Sequence, residues 1–139
     1  MDRGKDHLAA GAQAEATLTV TWSDTAAALS PSAQDTFPPV FATSRMVALM
    51  ELAAARVLQP LLRDGQLSVG TSLTVGHTAA TPVGCEVRAV ATYLERDGRA
   101  FRFRVEAFDA AGPIGAGEHS RAIVATERLL AGAARRRPG

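Results

Sequence analysis

The chain is expected to be an α+β protein in which one curved antiparallel sheet wraps around a single long helix, two copies forming a homodimer. Three observations predict this. Only one long stretch, Phe41 to Leu62, has apolar residues at helical spacing. Four β-type segments separated by turn signals follow it. The helical stretch is also apolar nearly all round, broken mainly by Arg45, Glu51 and Arg56. One small sheet cannot cover such a helix and also bury its own second face, whereas two facing copies can.

The elements follow in order. Residues 1–13 read as a flexible leader and residues 131–139, with Arg135-Arg136-Arg137, as a flexible basic tail. Residues 14–130 are then one domain, as expected for a chain of 139 residues. Ala14 to Trp22 alternates, with Leu18, Val20 and Trp22 on one face, and predicts a strand. Ser23 to Pro39 is rich in Ser, Asp and Pro and predicts a loop or short helix of the kind that forms lids. In the helical stretch, Met46, Val47, Met50, Ala54, Val57, Leu58 and Leu61 make the apolar stripe. Thr43 or Ser44 can cap its start, and Pro60 and Gly65 end it.

Val69 to Ala79 is the next strand, with Val69, Leu73, Val75 and His77 sharing a face. Cys85 to Arg96 follows, and Asp97-Gly98 predicts a hairpin turn. Arg99 to Asp109 alternates Phe101, Phe103 and Val105 inward with Arg102, Arg104 and Glu106 outward. After a turn over Ala110 to Pro113, Ile114 to Leu129 reads as a last long strand on which Arg121 alternates with His119 and Ile123. A strand, a wrapped helix and four antiparallel strands make the hotdog fold.

Composition narrows the function. With 15 basic and 14 acidic residues the net charge is +1, which gives no basis for nucleic acid or a membrane surface as main partner. Cys85 is the only cysteine, so an intrachain disulfide is impossible, and no metal-ligand spacing surrounds it. It reads as a small apolar strand residue. No run is apolar enough for a signal segment or a membrane span, so cytoplasmic residence is expected.

The chemistry concentrates in three residue types set in apolar surroundings. The segment Val69 to Gly84 delivers His77 to a Thr/Ala/Pro/Gly-rich corner, where strands end and sites lie. Glu51 is a lone acid among Met, Leu, Ala and Val, and Thr43 stands at the helix start. A carboxylate, an imidazole and a hydroxyl are the parts needed to attack an acyl group. Each has a plainer reading: Glu51 on a solvated helix face, His77 as a satisfied core histidine, Thr43 as a cap. Arg121 reads equally as a solvated strand arginine, and Gly70 as a point of close backbone approach. His119 and the leader residue His7 suggest no role. On one straight helix, Thr43 and Glu51 stand about 12 Å apart along the axis. They meet only if the chain bends before the helix or if facing subunits supply them.

Three blocks carry a resemblance. F-P-P-V-F-A-T-S-R-M-V-A-L-M-E (Phe37 to Glu51), G-T-S-L-T-V-G-H-T-A-A-T-P-V-G (Gly70 to Gly84) and I-G-A-G-E-H-S-R-A (Ile114 to Ala122) resemble the fluoroacetyl-CoA thioesterase family of hotdog proteins. The likeness runs from about Phe37 to Leu129. It implies catalytic roles for Thr43, Glu51 and His77, an acyl pocket lined by Gly70 and Arg121, and a lid residue in Phe37. Glu51 would attack the thioester carbonyl or direct water to it, His77 would carry protons, and Thr43 would position the carboxylate or donate to the oxyanion. A second lid phenylalanine, three residues earlier in the fluoroacetyl-specific member, is matched here by Gln34. The resemblance therefore implies hydrolysis of a short-chain acyl-CoA, with a wetter lid and weaker preference for a fluorinated acyl group. It implies no metal or redox cofactor, coenzyme A being part of the substrate. Two other readings stand beside it: a hotdog thioesterase acting on a carrier-protein or polyketide-type thioester, and a non-catalytic acyl-CoA binder.

Overall fold

The computed structural model describes residues 8–138. The first seven residues of the expected leader, His7 among them, and Gly139 of the expected tail lie outside the described residues. Five strands form one sheet: β1 (Gln13–Thr19), β2 (Gln66–His77), β3 (Glu86–Asp97), β4 (Ala100–Asp109) and β5 (Gly112–Ala125). Their order is β1-β3-β4-β5-β2, and every neighbouring pair is antiparallel. The long helix α1 (Thr43–Leu58) comes between β1 and β2 in the chain, as expected, and a short helix α2 (Thr126–Ala134) ends it.

Two-residue periodicity in β4 puts Phe101, Phe103 and Val105 into the core, at 5%, 0% and 0% exposure. α1 lays Met46, Leu49, Met50, Ala53, Ala54, Val57 and Leu58 against the sheet, chiefly against β1 and β3. Small residues at the contact, Ala16, Ala89 and Ala91 among them, let helix and sheet approach closely. The curled sheet wraps the helix as expected but leaves one flank of it uncovered. Ala48 and Leu52 are exposed and Val47 half-buried, so one apolar flank of α1 faces away from the chain's own core. β2 forms an edge of the sheet, hydrogen-bonded only to β5 among the described strands.

Several boundaries differ from expectation for local reasons. β1 stops at Thr19, and Trp22 is 59% exposed rather than inward. The Thr21 backbone N–H and hydroxyl both donate to Asp24, which turns the chain there. Neither Thr43 nor Ser44 caps α1; Ala42 holds that position, and Thr43 is the first helical residue. The hairpin loop is Gly98-Arg99, with Gly98 at φ 61°, one residue later than expected. Cys85 precedes β3 and is half-buried. The last strand ends at Ala125, and α2 continues across the boundary expected near residue 130. β2 carries a bulge between Gly70 and Ser72. It reverses side-chain parity, so Val69 does not share a face with Leu73, Val75 and His77 as strict alternation predicts.

Candidate active site

His77 is the last residue of β2. The corner after it is fastened to the far end of β4 and β5. The Thr78 backbone N–H donates to the Ile114 carbonyl at 2.7 Å, and the fully buried Thr81 hydroxyl donates to Asp109 at 2.8 Å. The same corner holds the chain that enters α1, because the Phe41 N–H donates to the Thr81 carbonyl at 2.9 Å. Thr43, two residues on, is thereby set beside His77, with Oγ1 and Nδ1 2.8 Å apart. Nε2 of His77 is buried without a hydrogen-bond partner among the described residues. Leaving such a group unpaired costs about 1–3 kcal/mol, a feature expected at a site rather than in a settled core. A cavity of about 400 Å³, in the range of small-molecule sites, opens against this pair. Phe37, Pro38, Val40 and Phe41 line it, with Phe37 53% exposed.

A second cluster lies further along α1. The Glu51 Oε2 accepts from Arg121 Nη1 at 3.2 Å. Arg121 is only 7% exposed, and its guanidinium is bound on every side. Nε donates to Ser68 Oγ and Nη2 to the Ser68 carbonyl, both at 3.0 Å. Nη1 also lies 3.1 Å from His119 Nε2. His119 Nδ1 stands 2.8 Å from the Ser72 carbonyl. Burial pushes the Arg121 guanidinium below its ordinary range, while attraction to and hydrogen bonding with Glu51 oppose this. Burial likewise pushes the His119 imidazole down; the Ser72 carbonyl opposes, Arg121 reinforces and Glu51 opposes. Gly70 makes room for the cluster. A Cβ there would lie 2.5 Å from Glu51 Oε2 and 3.2 Å from His119 Cε1.

The structure thus joins Thr43, His77 and Phe37 in one group, and Glu51, Gly70 and Arg121 in another. It does not join the groups within one chain. α1 already begins at Thr43, so no bend brings Thr43 to Glu51, and the rise between them is about 12 Å. The carboxylate is positioned in its own chain by Arg121, while the Thr43 hydroxyl belongs to His77. Gln34 is exposed and does not line the cavity. Sequence reasoning missed His119 and Ser68; the inward alternation of His119 with Arg121 was the available sign. A hollow of about 320 Å³ near Arg63, Arg96 and Arg99 holds none of the candidate residues.

A profile of the fluoroacetyl-CoA-specific thioesterase family, FlK, matches residues 20–127. The fluoroacetyl-CoA thioesterase of Streptantibioticus cattleyicolor is 45% identical over 95 residues, 68% of this chain and 68% of that protein. A solved variant of the FlK enzyme in complex with acetyl-CoA matches with a TM-score of 0.89 at 37% identity, over 94% of this chain and 100% of that one. A hot-dog-like protein from Thermanaerovibrio acidaminovorans, 24% identical, matches in fold with a TM-score of 0.80 over 100% of this chain and 99% of its own.

Proposed function

The chain belongs to the fluoroacetyl-CoA-specific thioesterase family, and from that premise we propose that it hydrolyses a short-chain acyl-CoA at sites completed by two copies. The observation that carries the composite site is a spacing along α1. Thr43 and Glu51 each lie four residues from Val47, on one flank of the helix. Two copies of α1 packed antiparallel about a two-fold axis near Val47 set Thr43 of each against Glu51 of the other. Such an interface uses the same patch twice. Val47, Ala48 and Leu52 supply an apolar patch for it, and the free edge of β2 supplies unpaired backbone groups.

In this arrangement the thioester carbonyl lies between Thr43–His77 of one copy and Glu51 of the other. Arg121 holds Glu51 through Oε2, and Oε1 takes a proton from the water that attacks the carbonyl carbon. The Thr43 hydroxyl accepts from His77 Nδ1–H and donates to the developing oxyanion. As the C–S bond breaks, a proton passes from Nδ1 of the imidazolium form of His77 through the hydroxyl to the departing sulfur, leaving a neutral ring protonated at Nε2. Solvent then carries the proton on Glu51 back to His77. The products are the free acid and coenzyme A, and the balance needs no metal or redox group. No helix among the described residues is long and apolar enough to cross a membrane. Cytoplasmic residence is part of the proposal and rests on the coenzyme A substrate.

Thiol release from acetyl-, fluoroacetyl- and propionyl-CoA tests the activity. Glu51→Gln should keep the fold and lose about 10²-fold or more in rate. Co-expression of Glu51→Gln and His77→Ala chains tests the shared site. Half of the dimers are then mixed, each with one intact site, so about a quarter of parental activity should return. No recovery from a mixed dimer places all acting residues in one chain and overturns the composite site.

A further inference from the structure

We infer that His119 is a positioning residue that orients Arg121, and through it the Glu51 carboxylate that takes the proton from the attacking water, by presenting a bare Nε2 lone pair to the guanidinium. The inference rests on the role proposed for Glu51. The Ser72 carbonyl can only accept, so at 2.8 Å the His119 Nδ1 must carry the proton. In the neutral ring Nε2 is then an acceptor, and Arg121 Nη1, 3.1 Å away, is a donor. Nε and Nη2 are taken by Ser68, so Nη1 is the edge of the fork left to His119 and Glu51. The same Nη1 reaches Glu51. His119 therefore sets the direction from which Arg121, the charged partner of Glu51 among the described residues, approaches.

Burial supports the neutral ring. His119 is 2% exposed, and the charge of Arg121 disfavours a second proton on it. A doubly protonated ring would point Nε2–H at Nη1–H and push the guanidinium away. Gly70 fixes the third side, since any Cβ there would enter the space of Glu51 Oε2 and His119 Cε1.

Two variants separate orientation from packing. Asn at position 119 keeps an N–H near the Ser72 carbonyl but has no acceptor toward Arg121. Gln at position 119 places a carbonyl oxygen near the site of Nε2. His119→Asn should lose about 30- to 100-fold in kcat for acetyl-CoA with KM little changed, the scale of a small misplacement of a reacting group. His119→Gln should return to within about fivefold of the parent, with both variants melting alike. Equal losses in the two, or losses that follow melting temperature, overturn the inference. Nitrogen-15 NMR of the parent reads the geometry without turnover: Nδ1 should be protonated and Nε2 bare at neutral pH. A protonated Nε2 overturns the inference even if neither variant folds. Failure of the parent to release thiol counts against the thioesterase reading, and the NMR result distinguishes that case.

Discussion

Thr43–His77 and Glu51–Arg121 hang on the same helix but are held by different means. Thr43 is exposed, and one hydrogen bond of 2.8 Å joins it to His77. Around Arg121, five hydrogen bonds tie Glu51, His119, Ser68 and Ser72 to a guanidinium 7% exposed. Breaking the first bond costs about 0.5–1.5 kcal/mol, so the pair can re-form around a substrate. Breaking the second arrangement costs more, about 1–3 kcal/mol, because Arg121 is buried although Glu51 is half-exposed. The Thr43–His77 half is loosely held, and the half that aims the Glu51 carboxylate is fixed.

The sharpest test of that difference sets one substitution on each side. Gly70→Ala should lower kcat/KM by about 10²-fold, because the added Cβ displaces the end of Glu51. Stability should fall by no more than about 1–3 kcal/mol, the cost of taking one partner from the buried guanidinium. Thr43→Val removes a hydroxyl from an exposed residue and should cost up to about 10²-fold, also without unfolding. If Gly70→Ala is the milder of the two in an acyl-CoA assay, the rigid half is not the aiming half.

The second test uses acid. The folded-state pKa of His119 is lowered, so between it and the ordinary value of about 6.5 the unfolded chain holds more protons. The stability linked to this group is complete above about pH 6.5 and is lost as pH falls through the folded value. Urea midpoints should drop between about pH 7.5 and 5, and drop less in His119→Gln. Identical drops would show that the buried cluster contributes nothing to acid sensitivity.

The smallest effect is expected at the lid. Gln34 is exposed and away from the cavity wall, whereas Phe37 lines it. Gln34→Phe should sharpen the ratio of fluoroacetyl- to acetyl-CoA turnover by only about two- to fivefold. Equal or poorer discrimination with the fold intact would remove Gln34 from the lid.

The element order, the burial of Phe101, Phe103 and Val105, and the corner after His77 were legible because each has a local cause: helical spacing, strict alternation, turn residues. Other features lacked one. The bulge at Thr71 adds a residue with no mark in composition. The stretch A-I-V-A-T-E-R-L-L shows no breaker where β5 gives way to α2, so it reads as continuous strand. Thr43, Glu51 and His77 were candidates by residue type, but the family likeness singled them out. The His119–Arg121–Glu51 chain was hidden because it closes contacts between residues as many as 70 apart. The N-cap misreading had a related cause. Thr43 has the right hydroxyl for a cap, but the corner beyond β2 brings it a stronger partner.

The unpaired residue in β2 also sets a rule for change. Upstream of it, Ser68 and Gly70 share the inner face with Arg121 of the neighbouring strand. Downstream, Leu73, Val75 and His77 occupy that face instead. A flat two-residue alternation cannot place both Gly70 and His77 inward, because their numbers differ in parity. The strand works as two rulers joined half a repeat out of phase. Its side chains can drift, but its residue count between the two halves cannot. Removing one residue would rotate either the wall or the histidine out of the molecule while leaving composition and hydropathy almost untouched.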